Sequence, residues 1–444
     1  MLRARYIIII VLAVAGSIGA AYLGLSSQST YTPGPEAGEP MEGFERVLIT
    51  PANSRAERKL RRRSGVDIRH EFNGKFSANV PTAAIPALKK LGRVEDVPIW
   101  GIHHHGTKPA AKPICGNGVI EGGEKCGEPG LECPTGQVCE RCKCQTTGEE
   151  PPPEGRSCFP TDQREYNVVQ VNGGQLSAGT GINVAVLDTG TTPDHLDLDV
   201  KLCKDATKRG IRGGCVDKST VAHGTHTTGI VAANGGGDGF GLFGVAPSAN
   251  LWAIKVCGNQ FCFTDDIAAA INFAADQGAH VISLSLGGPQ ESNLVKEAIA
   301  NNPGVLFVAS AGNSGPGSDT IEFPAGNPAV IAVAAHDNGK IVARFSSRGL
   351  DDGDDTTIVE REVELSAGGV TVESTNKDGC YSSLSGTSFS APTVAGLAAK
   401  VWQGSVATTR AFLVSIATDI TQANGGGAGV GFDIASGYGL PAAP

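Results

Sequence analysis

Aromatic and charged side chains are scarce in this chain of 444 residues, at 5% and 18% of the sequence. Positive charge is also in short supply, because the formal net charge is −9, which excludes a generally basic nucleic-acid-binding surface. Disorder is excluded by a hydrophobic content of 40% and by several long apolar runs. The 61 glycines indicate tight turns and close packing of helices on strands, in a chain long enough for two or three domains.

The N-terminus, residues 1–25, has two arginines followed by a run of about twenty apolar residues, the length that spans a bilayer. Small residues at Gly19, Ala20 and Ala21 favour a cleaved secretory signal peptide, and an uncleaved membrane anchor is the alternative. Both place the rest of the chain outside the cytoplasm. A Pro, Gly and Ser-rich linker follows at 26–43.

The 12 cysteines are even in number, and export favours disulfides over reduced thiols. Six lie in a cysteine-rich module, residues 112–145, which has too few apolar residues for a core. Three bridges or a zinc site would stabilise it. A linker at 146–157 separates it from the other six cysteines. We expect Cys203–Cys215 and Cys257–Cys262 to pair because they are close in sequence, which leaves Cys158 with Cys380.

Residues 44–105 form a small unit with strand-like runs (RVLIT, FSANV) and two helix candidates, which fits a short βαβ-type α+β arrangement. This unit has twelve Lys and Arg against six Asp and Glu, whereas residues 158–444 have sixteen against twenty-eight. Opposite charges predict that the two regions dock on each other, although unrelated surface compositions would give the same counts.

Residues 158–444 alternate between short apolar runs and helix-like stretches. The runs INVAVLD, NLWAIKV, HVISLSL, GVLFVAS and AVIAVAA are typical of buried parallel strands. Helix-like segments such as TDDIAAAINFAADQG lie between them. This pattern predicts a doubly wound α/β fold with a mainly parallel sheet, whose active residues gather at the carboxyl ends of the strands.

Three segments carry side chains typical of nucleophilic catalysis: VAVLDTG with Asp188, HGTHTTG with His223, and GTSFSAP with Ser388. Each has an ordinary interpretation as a turn or helix-capping residue. A serine hydroxyl is a weak nucleophile, however, and an imidazole oriented by a carboxylate is what activates it. We interpret Pro392 as lying in the first turn of the helix that begins near Ser388, where proline is tolerated.

DTG, HGTHTTG, SLGG, SAGNSGP and GTSFSAP, in this order, resemble the subtilisin-like serine proteases, or subtilases, over about residues 160–444. The resemblance implies a secreted serine endopeptidase that hydrolyses protein substrates through an acyl-enzyme, with no catalytic cofactor. By its motifs Asp188, His223 and Ser388 are the catalytic triad. It places no nucleic acid among the partners.

The same resemblance assigns further residues. Asn313 matches the asparagine of the oxyanion hole, while the second histidine of the motif, His226, is a packing residue. Ser285, Leu286 and Gly287 match the strand that pairs with an extended substrate. A second strand near residues 260–261 is expected on the other side of the substrate.

Glu322, in IEFPAGNP, matches a position at the floor of the S1 pocket, and the Phe323–Pro324 bond is expected to be cis. A carboxylate there would favour basic P1 residues, and a Glu turned to solvent is the alternative. Asp197 matches a ligand of a structural calcium ion, and Asp238 lies in the glycine-rich loop expected to surround it. A glycine-rich turn without an ion is the alternative. The acidic run DDGDDTTIVEREVE is interpreted as a solvated loop.

Residues 44–105 resemble the inhibitory propeptide domain of subtilases, which makes the protein a self-processed zymogen. Lys108 and Arg156 are candidate processing sites, and the histidines at 103–105 are interpreted as a solvated tail. The cysteine-rich module resembles repeats of secreted bacterial proteins. A competing hypothesis is a secreted adhesion protein in which the subtilase domain is an inactive scaffold.

Overall fold

The N-terminal unit, residues 40–102, is an antiparallel sheet with two helices. The computed structural model of the protein describes residues 40–102, 158–351, 358–420 and 428–444, and the backbone of strands at 137–140 and 143–146. The elements of the unit are β1 (Phe44–Pro51), α1 (Ser54–Arg61), β2 (Asp67–Phe72), β3 (Lys75–Pro81), a 3₁₀ turn (Thr82–Ala84), α2 (Ile85–Leu88), β4 (Gly92–Asp96) and β5 (Ile99–Ile102).

The four-stranded sheet of this unit has the order β2-β3-β1-β4, and every neighbouring pair is antiparallel. The two predicted strands, within β1 and β3, are antiparallel neighbours. The expected βαβ-type arrangement is present in split form, because α1 joins β1 to β2 and α2 joins β3 to β4. Each of these pairs is parallel and has one other strand between its members. The unit has its own core, formed by Val47, Ile49, Leu60, Phe76, Ala78, Val80 and Leu88.

Residues 158–444 form the predicted doubly wound fold. The hairpin β6 (Gln137–Glu140) and β7 (Lys143–Thr146) precedes it in the chain. The first half contains α3 (Tyr166–Gln170), β8 (Asn183–Asp188), β9 (Val200–Asp205), β10 (Arg212–Gly213), α4 (His223–Ala232), β11 (Asn250–Lys255), β12 (Phe261–Phe263), α5 (Thr264–Asp276), β13 (Val281–Leu284) and β14 (Leu286–Gly287).

The second half contains α6 (Asn293–Ala300), β15 (Leu306–Ser310), β16 (Val330–His336), β17 (Leu365–Gly368), β18 (Val372–Thr375), β19 (Tyr381–Leu384), α7 (Thr387–Lys400), α8 (Val406–Ser415), β20 (Ala417–Thr418) and β21 (Leu440–Pro441). The main sheet has the order β10-β9-β11-β8-β13-β15-β16-β17, and every pair in it is parallel except β10–β9.

Helices cover both faces of this sheet, as continuous apolar strands require. One core contains side chains of α5 and α6, and the other contains side chains of α7. Helix α7 is buried on all sides over residues 387–399, which explains why its sequence is small and apolar with no polar face. Because the strands are parallel, the residues after β8, β13 and β15 all lie at one edge of the sheet.

Three disulfides link the cysteines that were expected to pair: Cys158–Cys380, Cys203–Cys215 and Cys257–Cys262. The Phe323–Pro324 bond is cis as expected, and the Gly315–Pro316 bond, for which no expectation was made, is also cis. The expectation for Pro392 is wrong, because α7 begins at Thr387 and Pro392 is its sixth residue, beyond the first turn.

Several predictions concern segments outside the described residues. These are the signal peptide or anchor, both linkers, the bridges or zinc site of the cysteine-rich module, residues 103–105, Lys108, Arg156 and residues 352–357 of the acidic run. Within the part of the chain that the structure describes, no helix has the length and apolar character needed to cross a membrane.

Candidate active site

Asp188 and His223, which are 35 residues apart in the chain, meet at the carboxyl edge of the sheet. Asp188 ends β8 and His223 begins α4. The Nδ1–H of His223 donates to Oδ1 of Asp188 at 2.7 Å, and both side chains are buried. The backbone N–H of Thr189 also donates to Oδ1, and the Thr227 hydroxyl donates to Oδ2. This arrangement fixes the imidazole tautomer with the proton on Nδ1, so that Nε2 is the unprotonated nitrogen.

Ser388 is the second residue of α7, and its hydroxyl donates to the backbone oxygen of Ser285 at 3.1 Å. In return, the hydroxyl of Ser285 donates to the backbone oxygen of Ser388 at 2.7 Å. In a regular helix the N–H of residue 392 would donate to the backbone oxygen of Ser388, but Pro392 has no N–H. The proline therefore leaves this oxygen able to accept from the hydroxyl of Ser285. The ring of Phe389 lies 5.6 Å from the ring of His223, which places the start of α7 beside the imidazole.

Asn313 follows β15, and its side-chain oxygen accepts from the backbone N–H and the hydroxyl of Thr387, at 3.1 and 3.0 Å. Since its oxygen is engaged, the amide of Asn313 has its NH₂ group left to donate. The N–H of Ser388 lies in the first turn of α7, where helix geometry provides no intrahelical acceptor. Asn313 and the Ser388 N–H therefore both lie at the start of α7. Thr387, which orients Asn313, was missed because a Gly-Thr-Ser sequence does not show which side chain it contacts.

His226 lies one turn further along α4. Its Nε2 is 3.1 Å from the backbone oxygen of Val372 and 2.9 Å from that of Ser382, and its ring packs edge-on against Phe389. Burial lowers the pKa of His226 to about 3, so it is neutral at ordinary pH. These contacts are those of a packing residue, as predicted.

The last strand of the N-terminal unit lies between two strands of the catalytic region. Strand β5 pairs antiparallel with β14, with Leu286 opposite Ile102 and Gly287 opposite Gly101. On its other side β5 pairs antiparallel with β12, the second strand predicted near residues 260–261. The predicted substrate-pairing residues are thus already occupied by an extended segment of the chain itself.

Trp100, the second residue of β5, is 3% exposed and its indole N–H donates to the backbone oxygen of Gln290 at 3.0 Å. A side chain at Gly288 would collide with the indole, because a Cβ there would lie 2.6 Å from its ring. Trp100 was not predicted as a functional residue, because a single tryptophan in a short strand has no distinguishing pattern.

Glu322 lies between the segments that follow β14 and β15. The next residue, Phe323, exchanges backbone hydrogen bonds with Gly288, and the N–H of Glu322 donates to the oxygen of Ala311. The Glu322 side chain runs past Gly312, and its carboxylate accepts from the hydroxyl of Ser314 at 2.8 Å. The structure thus brings Glu322 beside the segment that carries Asn313, and the side chain is half-buried rather than fully solvated.

Asp197 and Asp238, the predicted calcium ligands, have different surroundings. Asp197 is fully buried, and its Oδ2 accepts from the N–H of Leu242 at 2.8 Å and from the hydroxyl of Tyr381 at 2.6 Å. Asp238 accepts from the N–H of Phe240 within its own turn.

The loop that carries Asp238 lies against Asp197, because the Asp197 carboxylate is next to the α-carbon of Gly241. The side-chain NH₂ of Gln163 donates to the carbonyl oxygens of Gly239 and Gly241 in this loop. Carboxylate and carbonyl oxygens are ligand types that suit Ca²⁺.

A buried charge cluster joins the N-terminal unit to the catalytic region. Arg46 of β1 bonds through Nη1 to Asp265 at 2.9 Å and to Asp266 at 3.0 Å, both in the first turn of α5. His70 of β2 lies 2.8 Å from Asp266. The opposite charges of the two regions predicted this docking, but they did not identify its residues.

Comparison with known proteins agrees with the geometry. The profile of the Subtilase family matches residues 179–439. A subtilisin of Bacillus sp. (strain TA39) is 44% identical over 290 residues, covering 60% of this chain and 68% of that protein. Subtilisin DY of Bacillus licheniformis is 39% identical over 228 residues, covering 50% and 77%. The solved structure of sphericase matches with a TM-score of 0.59 and 40% identity, covering 64% of this chain and 99% of that one.

The family profile spans more than half of the chain, and its bounds enclose β8, α4 and α7, the elements that carry the acidic, imidazole and hydroxyl side chains described above. The chain belongs to the subtilase family and is a subtilisin-like serine endopeptidase.

Proposed function

We propose that the protein is a secreted zymogen whose catalytic region cleaves proteins with the triad Asp188, His223 and Ser388. The hydrogen bond of 2.7 Å between His223 and Asp188, beside the helix that carries Ser388, is the observation that carries this proposal. Secretion is supported by the apolar N-terminus and by the three disulfides.

Catalysis then follows the acyl-enzyme route. The Ser388 hydroxyl oxygen attacks the substrate carbonyl carbon while Nε2 of His223 takes the hydroxyl proton, and Asp188 stabilises the imidazolium. The carbonyl oxygen becomes an oxyanion that accepts from the Asn313 NH₂ and the Ser388 N–H. The C–N bond breaks, His223 returns the proton to the leaving amine, and a water activated by His223 hydrolyses the ester to regenerate Ser388.

The strand register gives the direction and numbering of the substrate. Ser388 contacts the backbone of Ser285, so the residue before the cleaved bond, P1, lies opposite Ser285. Leu286 then faces P2 and Gly287 faces P3. Counting back along β5, Trp100 occupies the P4 position and Ile99 the P5 position.

Because β5 fills these positions, residues 44–105 are proposed to act as a propeptide that keeps substrates out of the cleft until it is cut and released. In this register Ile102 takes the P2 position, so the processing bond lies further along the chain than Ile102. N-terminal sequencing of the matured enzyme identifies the bond, and Lys108 and Arg156 remain candidates.

The Ser388→Ala variant tests the function as a whole. We expect the full-length variant to stay unprocessed and to cleave no peptide, whereas the wild-type chain processes itself and then cleaves peptides. Processing of the variant at the normal rate in a pure preparation would contradict the role of Ser388.

Glu322 is proposed to favour Lys or Arg at P1. Its carboxylate is half-buried beside the Asn313 segment, where it would attract a cationic P1 side chain. We expect Glu322→Gln to lower kcat/KM for P1-Arg peptides relative to P1-Leu peptides. Glu360→Gln, which removes an exposed carboxylate, is the matched control. A wild-type preference for Leu, Phe or Tyr at P1 would contradict this proposal.

Asp197 is proposed to hold a structural calcium ion together with oxygen atoms of the glycine-rich loop that carries Asp238. When bound, the ion would crosslink this loop through oxygen ligands. We expect calcium to raise the melting temperature, and Asp197→Asn to reduce this effect more than Asp238→Asn. A melting temperature that is insensitive to calcium and chelator would contradict the site.

A further inference from the structure

The acidic pair Asp265–Asp266, in the first turn of α5, binds a cation in the zymogen. One guanidinium nitrogen of Arg46 lies 2.9 to 3.1 Å from three carboxylate oxygens of the pair. The guanidinium also stacks on the ring of Phe263, with 4.2 Å from its central carbon to the ring centroid. The site thus has an anionic floor and an aromatic wall, which together suit a guanidinium group.

The buried acidic pair depends on the Arg46 guanidinium to balance its negative charge. Both carboxylates are fully buried under the N-terminal unit. Burial raises the pKa of Asp266, and repulsion from Asp265 raises it further, while Arg46 and His70 act in the opposite direction. When the propeptide leaves, Arg46 and His70 leave with it, and the two adjacent carboxylates lose the guanidinium and the imidazole that contact them.

Two further polar atoms lie at the site. Within the described part of the chain, Oδ2 of Asp266 and the hydroxyl of Thr264 are buried without a hydrogen-bond partner, even with Arg46 in place. An unsatisfied buried acceptor is costly, and a ligand with several N–H groups can satisfy it. These atoms indicate that the site has more hydrogen-bonding capacity than Arg46 uses.

The substrate-like strand passes directly over this site. The chain preceding β5 continues along the catalytic region, because the oxygen of Pro98 accepts from the N–H of Thr264 at 3.1 Å. The N–H of Val97 in turn donates to the backbone oxygen of Arg46 at 3.2 Å. A substrate in the same register has its P6 residue where Pro98 lies and its P7 residue where Val97 lies. The backbone of a P7 residue thus lies beside the backbone of Arg46, whose side chain contacts Asp265 and Asp266.

We propose that, in the matured enzyme, Asp265 and Asp266 form a subsite that binds an Arg side chain at P6 or P7 of the substrate, in the place that Arg46 occupies in the zymogen. This subsite rests on the proposed function and its substrate register. It makes the enzyme selective for protein segments with a basic residue five or six positions before P1.

The test uses the purified, matured enzyme and three peptides that are identical from P5 onwards. The first has Arg at P6, the second has Arg at P7, and the third has Gln at both. We expect one of the Arg peptides to have a kcat/KM about five- to tenfold above the Gln peptide, the range of a partly buried charged contact. A ratio near one for both Arg peptides would overturn the subsite.

Variants locate the effect. The double substitution Asp265→Asn with Asp266→Asn is expected to bring the Arg-to-Gln ratio close to one. Asp265→Glu is expected to keep part of the ratio. Asp276→Asn, which removes an exposed carboxylate at the other end of the same helix, is the matched control and is expected to keep the full ratio. Because a ratio is independent of the amount of folded enzyme, poor maturation of a variant does not affect it.

An Arg preference that survives the double substitution would overturn the role of the acidic pair. Failure of the proposed function gives a different result. If the protein is not a protease with this substrate register, the wild-type enzyme cleaves none of the peptides, including a shorter one that begins at P4 and cannot reach the acidic pair.

Discussion

Arg46→Gln is expected to loosen the propeptide from the cleft. The guanidinium of Arg46 is 4% exposed, and the carboxylates of Asp265 and Asp266 that it contacts are fully buried. Removing one member of a buried ion pair costs about 3–5 kcal/mol, because the remaining charges are left unpaired. Here the cost applies only while the propeptide is docked, since opening returns both carboxylates to water. Taking about 3 kcal/mol, and about 1.4 kcal/mol for each factor of ten, the open fraction increases roughly 100-fold.

The assay uses the full-length Ser388→Ala chain, in which self-processing is blocked. A fluorescent peptide binds the cleft only when β5 has left it, so its apparent Kd reports the open fraction. We expect Arg46→Gln in this background to lower the apparent Kd about 100-fold. Arg58→Gln, which removes an exposed charge from α1, is the matched control and is expected to leave the Kd unchanged.

Equal Kd values for the Arg46→Gln and Arg58→Gln chains would refute the reasoning. A double-mutant cycle between Arg46→Gln and Asp265→Asn sharpens the test, because partners in one ion pair are not additive. Additive effects would mean that the measured loss does not come from this contact.

Three further predictions concern turnover and stability. Asn313→Ala is expected to lower kcat about 10²–10³-fold with little change in KM, and near-normal turnover would contradict its role as an oxyanion donor. Burial lowers the pKa of His336 to about 4 and that of His226 to about 3, so between pH 6.5 and 4 the unfolded chain binds protons that the folded chain excludes. The free energy of unfolding therefore decreases as the pH is lowered from 6.5 to 4, by about 1.4 kcal/mol per pH unit for each histidine. Urea unfolding measured at several pH values should show a weaker pH dependence of this free energy for His336→Gln. Replacing Cys158 and Cys380 by Ser is expected to cost about 2–5 kcal/mol, measured as a lower melting temperature; an unchanged value would show that the bridge does not stabilise the fold.

Much of the catalytic fold was predictable because its strands are continuous apolar runs. All five predicted runs lie in strands of the main sheet, and a parallel sheet requires such sequences because both of its faces are buried. Asp188, at the end of the first run, could therefore be placed at the active edge.

Contacts between distant segments were not predictable. The three disulfides followed from sequence proximity and elimination, but the contact of Arg46 with Asp265 depends on how two folded units dock. Pro392 is a second example. Because Pro392 has no N–H, the backbone oxygen of Ser388 accepts instead from the hydroxyl of Ser285, which lies more than 100 residues earlier in the chain. Sequence spacing does not encode such pairs.

The central claim is that folding makes Ser388 an activated nucleophile next to His223. Labelling the matured protein with a fluorophosphonate and mapping the modified peptide tests it most directly, because only an activated serine reacts. We predict a single label, on Ser388, that is absent from the Ser388→Ala and His223→Ala variants. A matured protein that takes up no label, or takes it up on another residue, would contradict the account.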